Sequence, residues 1–376
     1  MHMNIRQYFR WEILICRICG GWIHVESSKF DYLYYLYWAV INISTVIYIL
    51  QKIKYVTDFA GDTYGIVGAF FILPISMTAN VRSYSFFKYR KEFNELFTSL
   101  DEDIFQPQDA NELAIMSKML KFFSFYQHVL YVWSGVTMTG CQMGKLVFGV
   151  SDQPDDGQEH CEAAMSTKHG LFVYLYQTMC VTMLLVFNLI SDLFMVGFCL
   201  FLGAQCDRLS YMLENLKERD VVDIKALAEY YKRILRFASN VEKLFGTIYF
   251  TFFFACLAAY GTTLFMFSIT EPLSFRYFHM IEYICAIFGM LFTPCWFGTT
   301  VRKKSEKLQT AAYSANWVDS GKNFKNDLLI FMSMVQSPIQ FRAWNLIPLN
   351  LESYMGVVKT SFSYYTVLDN MIMKKE

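Results

Sequence analysis

The chain has 376 residues, of which 55% are hydrophobic, 18% aromatic and 18% charged, with a mean hydropathy of +0.27. Soluble globular domains carry about 25% charged residues, so the composition is that of a membrane protein. Its 33 Lys and Arg balance its 33 Asp and Glu and are dispersed among loops without a basic face, which argues against a nucleic-acid binder.

The first apolar run, Trp11 to Val25, is interrupted by Glu12 and Arg17 and has no small-residue cleavage site. It reads as a short helix on the inner membrane face and not as a secretory signal. Within it, Cys16-Arg-Ile-Cys19 has redox-like spacing but no second Cys pair and no strand-helix context, so the spacing is read as coincidence. Apolar windows then follow at Tyr32 to Leu50, Phe59 to Val81, Phe122 to Phe148, Gly170 to Leu202, Phe245 to Ile269, Phe278 to Thr300 and Leu351 to Met373. Each is long enough to cross a hydrocarbon core, which predicts an all-α membrane protein with seven transmembrane helices.

Basic flanks set the expected orientation. One set of flanks carries 25 Lys and Arg and the other 7, and the richer side is retained in the cytoplasm. The topology is therefore inverted, with a cytoplasmic amino terminus and an extracellular carboxy terminus, opposite to a G-protein-coupled receptor. The sequon Asn42-Ile-Ser44 falls inside the first span and is expected to be unused. Gly149 to Lys168 is the longest outer loop and is acidic, through Asp152, Asp155, Asp156, Glu159 and Glu162. Cys161 lies in it, and a disulfide to Cys141 or Cys285 is conceivable.

The inner loops have helical periodicity. Leu209, Leu213 and Leu216, then Leu227, Tyr231, Ile234 and Leu235, recur at three- and four-residue steps, so the fourth and fifth spans should extend into the cytoplasm. Arg302 to Asn316 and Lys322 to Val335 read as two further helices, the second stopped by Pro338. Amphipathic helices need partners, and these are expected to form a cytoplasmic collar that holds several copies together. Pro74 and Pro294 mark sites of bending. Asn188 and Asp192 in the fourth span and Glu282 in the sixth are intramembrane polar groups, facing either a hydrated vestibule or a basic partner.

In the last window Glu352, Lys359, Ser363 and Asn370 share roughly one face of a helix. A Lys near the middle of a spanning helix costs about 2.5 to 3.5 kcal/mol if it meets lipid, so that face needs water or protein. It lines a pore, or its hydroxyls and amide hydrogen-bond neighbouring helices. There is no His-Glu-x-x-His motif and no phosphate-binding Gly loop, so neither an enzyme nor a cofactor is expected.

The carboxy-terminal third carries Phe292-Thr-Pro-Cys-Trp-Phe-Gly298, then Ser305, Ala312-Tyr313, Trp317, Gln336-Ser337-Pro338 and Lys359-Thr-Ser-Phe-Ser-Tyr-Tyr-Thr-Val-Leu368. Together with Tyr230-Tyr-Lys-Arg-Ile-Leu-Arg-Phe237, the length and the inverted topology, this resembles the insect odorant receptor family, loosely over the whole chain and tightly over residues 290 to 370. The related gustatory receptors end in a Thr-Tyr, five apolar residues, Gln-Phe pattern. Here Ser363-Tyr364 and Asn370-Met371 keep its spacing with other identities, which favours the odorant branch. The long second cytoplasmic loop of the co-receptor Orco is lacking, so the chain looks like a ligand-tuning subunit.

The resemblance implies an odour-gated, non-selective cation channel: a heterotetramer with Orco in the plasma membrane of olfactory sensory neurons, surrounded by lipid and passing cations. By position, Val367 and Met371 form a hydrophobic gate, Asn370 a polar filter ring, and Lys359 and Ser363 line the pore. The family's pocket lies among the second, third, fourth and sixth spans. The phase of those spans offers Phe70, Phe71, Ile75, Ser134, Thr137, Met138, Cys141, Met183, Val186, Phe187, Tyr283 and Ile287 for a small volatile. Three regions are expected: residues 1–300 with the pocket and cytoplasmic extensions, 301–350 as anchor helices, and 351–376 as pore helix and tail. The competing classes are a metabotropic seven-span chemoreceptor, a gustatory-receptor-like channel and a transporter.

Overall fold

In lipid every backbone N–H and C=O must be satisfied within its own segment, so apolar runs of this length form α-helices. The computed structural model describes residues 3–21, 31–58, 73–147, 168–215, 224–315, 317–318 and 320–373. Its helices are α1 (Arg10–Ile18), α2 (Asp31–Asp58), α3 (Leu73–Lys88), α4 (Arg90–Ser99), α5 (Ala110–Val147), α6 (Lys168–Glu214), α7 (Ile224–Ser268), α8 (Phe275–Ser314), α9 (Lys322–Val335) and α10 (Leu351–Met373). Between α9 and α10, β1 (Arg342–Ala343) pairs antiparallel with β2 (Ile347–Pro348).

Among the described residues, four helical stretches are long and apolar enough to cross a membrane: Tyr32–Lys54, Leu171–Glu214, Ile224–Ser268 and Met280–Ser314. At 1.5 Å per residue the 47 residues of α6 and the 45 of α7 reach roughly 70 Å, more than twice the ~30 Å hydrocarbon core. Both therefore continue well past the bilayer, as the periodicity of Leu209 to Leu235 requires. The sixth span does the same. Arg302 to Ser314 is not a separate helix but the end of α8, which runs unbroken through Pro294 and Gly298.

Helices α6 and α7 form the centre. α8 lies along α6, α10 along α7, and α3 packs against both. An aromatic cluster fixes the amino-terminal turn to this centre: the Phe9 ring lies 4.9 Å from Phe123, 5.3 Å from Phe97 and 5.6 Å from Phe198. Such pairs contribute about 0.5–1.5 kcal/mol each beyond their buried area. From Phe9 the chain enters α1, which turns Trp11, Leu14 and Ile18 outward and buries Cys16 and Glu12. That pattern suits lipid, not water. α1 stops where Gly20 adopts φ +84 and the Gly21 N–H returns to the Cys16 carbonyl at 2.8 Å, a left-handed closure that spares a Cβ clash.

Two arginines counted with the basic flanks are interior residues. Arg208, in the extension of α6, donates to Glu112 at 2.8 Å and to the Ile104 carbonyl at 3.2 Å. The Tyr230 hydroxyl accepts from Arg208 and donates to Gln205, so α5, α6 and α7 are tied together beyond the bilayer. Arg82 of α3 is 0% exposed and meets Asp192 of α6. The charge asymmetry persists without them.

Candidate ligand cavity and pore-facing helix

Helices α5, α6 and α8 line a half-open cavity of about 310 Å³. Val129, Trp133, Leu185, Leu189 and Met290 make its walls apolar, while Tyr126, Ser134, Thr137, Asn188, Asp192 and Thr293 are its polar groups. Most of these are already committed. Tyr126 and Thr293 share a 2.9 Å hydrogen bond, and Thr137 donates to its own helix at Trp133. Asp192 accepts from Arg82 Nη1 at 2.7 Å and from the Tyr249 hydroxyl at 3.3 Å, while Arg82 Nη1 also donates to the Asn188 carbonyl at 2.9 Å. The guanidinium lies 4.6 Å from the centre of the Phe252 ring, within cation–π range.

One buried acceptor of this wall is left over. The Asn188 amide nitrogen donates to Leu184 O at 3.0 Å, but its Oδ1 is buried without a partner. A buried, unsatisfied acceptor costs about 1–3 kcal/mol, and this one belongs to a residue of the cavity wall.

Of the pocket residues expected from sequence, Ser134 and Thr137 line this cavity. Met138 lies beside it at the α5–α6 contact, 3.8 Å from the Thr182 hydroxyl. Ile75, Met183, Val186 and Tyr283 pack half-buried against the core, and Phe187 and Ile287 are within it. Phe70, Phe71 and the Cys141 side chain lie outside the described residues. So does Cys161, while Cys285 is a free thiol on the cavity wall. Cys16 and Cys19 are free and buried.

Helix α10 presents two unlike faces. Val357 and Ser361 are buried, with the Ser361 hydroxyl 3.4 Å from the Leu257 carbonyl of α7. Glu352, Lys359, Ser363 and Val367 are exposed on the other side, at seven-, four- and four-residue steps. The Asn370 and Met371 side chains lie outside the described residues. The helix start is held by two residues outside the carboxy-terminal motif. Asn350 caps the Ser353 N–H at 2.8 Å, and Thr299 of α8 accepts from the Leu351 N–H at 3.0 Å, which satisfies orphan donors of the first turn. Ser305, which is in the motif, accepts the Ile339 N–H at 2.9 Å just after α9.

Gly298 is the tightest point of this junction. A Cβ there would stand 2.4 Å from the Leu349 carbonyl oxygen, two residues before α10 begins. Backbone cannot swing away as a side chain can. Gly298→Ala is therefore expected to cost about 1–3 kcal/mol by overpacking, seen as a lower melting temperature in detergent. An unchanged melting temperature would mean that α8 and the α10 entry separate freely.

A family model described as 7tm Odorant receptor matches residues 63–362. The chain belongs to this family. Over 98% of its length it is 19% identical to odorant receptor 46a, isoform A, of Drosophila melanogaster, covering 99% of that protein. It is 28% identical to odorant receptor 10 of Aedes albopictus over 40% of each chain. The structure of the insect olfactory receptor OR5 from Machilis hrabei in complex with eugenol superimposes with a TM-score of 0.85 at 16% identity, covering 98% of both chains. A second structure of the same receptor gives 0.84 at 16% identity. The protein is thus an odorant receptor with the seven-span helical fold of that family, not an enzyme. The family match ends at Phe362, so Val367, Asn370 and Met371 lie beyond it.

Proposed function

We propose that this odorant receptor is the ligand-tuning subunit of an odour-gated, non-selective cation channel, assembled as a heterotetramer with the co-receptor Orco in the plasma membrane of olfactory neurons, with its amino terminus cytoplasmic. The observation that carries this reading is the uncovered polar face of α10. Lys359 and Ser363 stand exposed on a helix whose opposite face is packed on α7, and a spanning helix cannot turn a Lys to lipid without cost. Neighbouring subunits that bring their α10 helices together give that face a wet pore. Val367, Asn370 and Met371 follow on the same helix as gate and filter, where a hydrophobic ring closes by dewetting and an amide ring replaces part of a cation's hydration shell.

Odorants enter the cavity among α5, α6 and α8. Its volume suits a small molecule, and the buried, unpartnered Oδ1 of Asn188 in its wall favours a ligand with one hydroxyl. A ligand alcohol or phenol satisfies that oxygen and its methyl ether cannot, a difference worth about tenfold in potency. Whole-cell recording with Orco over alcohols, phenols and their ethers tests this directly. The expected result is an odour-evoked cation current with the hydroxyl preference, and loss of the preference in Asn188→Leu. Surface-expressed protein that passes no current with any odorant contradicts the channel reading. Equal responses to alcohol and ether contradict the role of Asn188.

A further inference from the structure

A second cavity, of about 640 Å³, is lined by residues of α1 and α5 and of the turn before α1. Tyr8, Trp11 and Glu12 stand on one wall and Gln127, His128 and Tyr131 on the other. It shares no lining residue with the odorant cavity.

Glu12 is 0% exposed. Its Oε1 accepts from Gln127 Nε2 and from the Tyr131 hydroxyl, each at 2.6 Å, and the same Gln127 nitrogen is anchored by the Tyr8 carbonyl at 2.9 Å. Both of these donors therefore converge on one oxygen. The other, Oε2, is buried and has no partner. His128 does not supply one through Nδ1, which engages the Ser124 carbonyl at 2.6 Å. A carboxylate offers about four acceptor positions, and leaving half of them buried without a partner in the wall of a cavity is costly unless a ligand reaches them.

The carboxylate repels an anion and makes its strongest hydrogen bonds to a charged donor, which favours a cation. Among the described residues no three His, Cys, Asp or Glu side chains gather to hold a metal ion, and the aromatic rings of Tyr8, Trp11 and Tyr131 suit an organic ammonium. Lipid is its source. α1 turns Trp11, Leu14 and Ile18 outward, and α5 turns out Phe125 and Val132, so the cavity lies between two apolar outer faces. Ser124 to Tyr131 also open the apolar window of α5 that begins at Phe122, which places the cavity at headgroup depth, where Trp and Tyr collect.

We propose that this cavity binds the primary ammonium of an aminophospholipid headgroup, with Glu12 Oε2 as its anionic anchor. A primary ammonium carries three N–H donors, so one makes a charge-assisted bond to Oε2 while the aromatic rings flank the rest. A choline headgroup has no N–H to offer. Ethanolamine is therefore preferred over choline.

The test is native mass spectrometry of the purified full chain in detergent with equal amounts of phosphatidylethanolamine and phosphatidylcholine of matched chains. Wild type is expected to retain phosphatidylethanolamine about tenfold over phosphatidylcholine, and Glu12→Gln to lose that preference. Glu12→Gln keeps an oxygen for Gln127 and Tyr131. Burial holds the Glu12 carboxyl above its ordinary range, so the neutral variant should melt at least as high as wild type in lipid-free detergent. If Glu12→Gln nevertheless fails to fold, Trp11→Ala, an exposed position, decides the matter by a several-fold weaker retention. Equal retention of the two lipids by wild type overturns the proposal, as does an undiminished preference in the folded variants. Displacement by millimolar free ethanolamine without any lipid preference also overturns it, in favour of a soluble amine.

Discussion

Arg82→Ala should abolish surface expression of the receptor, or lower its stability by about 3–5 kcal/mol where it can be purified. Arg82 is fully buried, Asp192 is 6% exposed, and the two lie 2.7 Å apart between α3 and α6. Removing the arginine strands a carboxylate in the bundle and frees the Asn188 carbonyl, so the floor of the cavity among α5, α6 and α8 loosens as well. Removing both charges is a different matter. Desolvation of a buried pair offsets most of its attraction, and apolar replacement of such pairs is often neutral. Arg82→Met combined with Asp192→Leu should therefore recover most of the lost stability, measured by thermal melting in detergent. Arg82→Ala melting within about 1 kcal/mol of wild type, on the scale at which single mutations are usually felt, would show that the pair is not holding α3 to α6.

The second large effect concerns the gate. Val367 is 53% exposed in the isolated chain, on the α10 face that the proposed pore requires. Val367→Ala removes two methylene-sized groups from each ring position, about 1.6 kcal/mol of dewetting at ~0.8 kcal/mol per group. Since 1.4 kcal/mol is a factor of ten, each substituted copy should raise basal current about tenfold without odorant. Asn370→Ala should instead alter relative cation permeability with little change in leak. Basal current that is identical in wild type and Val367→Ala would move the gate elsewhere.

Much of this organisation is legible in residue order. Period 3.6 in Leu209 to Leu235 foretells extensions that α6 and α7 display, and Pro338 is consistent with α9 ending at Val335. The polar steps of Glu352, Lys359 and Ser363 fall on the uncovered face of α10. The interior was less legible, because periodicity gives a face but not a neighbour. Arg82 and Arg208 look like flank charges until Asp192 and Glu112, about a hundred residues away, are brought against them. The cavity suffered similarly. Ser134 and Thr137 share its wall with Asn188 and Asp192, whose spacing of four puts them on one turn of α6, whereas Phe187 and Ile287 rotate into the core. The Trp344-Asn345 turn, with both residues at positive φ and Leu346 N–H closing on the Ala343 carbonyl at 3.0 Å, carries no glycine to announce it. It resembles the tight turns that usually take Asn-Gly.

The pore assignment of α10 is tested most directly by substituted-cysteine accessibility along that helix during whole-cell recording with Orco. Lys359→Cys, Ser363→Cys and Val367→Cys should each react with a charged, membrane-impermeant thiol reagent when odorant opens the channel, and reaction should block current, while Val357→Cys and Ser361→Cys stay unmodified. Equal reactivity on both faces, or block confined to Val357→Cys and Ser361→Cys, would contradict a pore lined by this face.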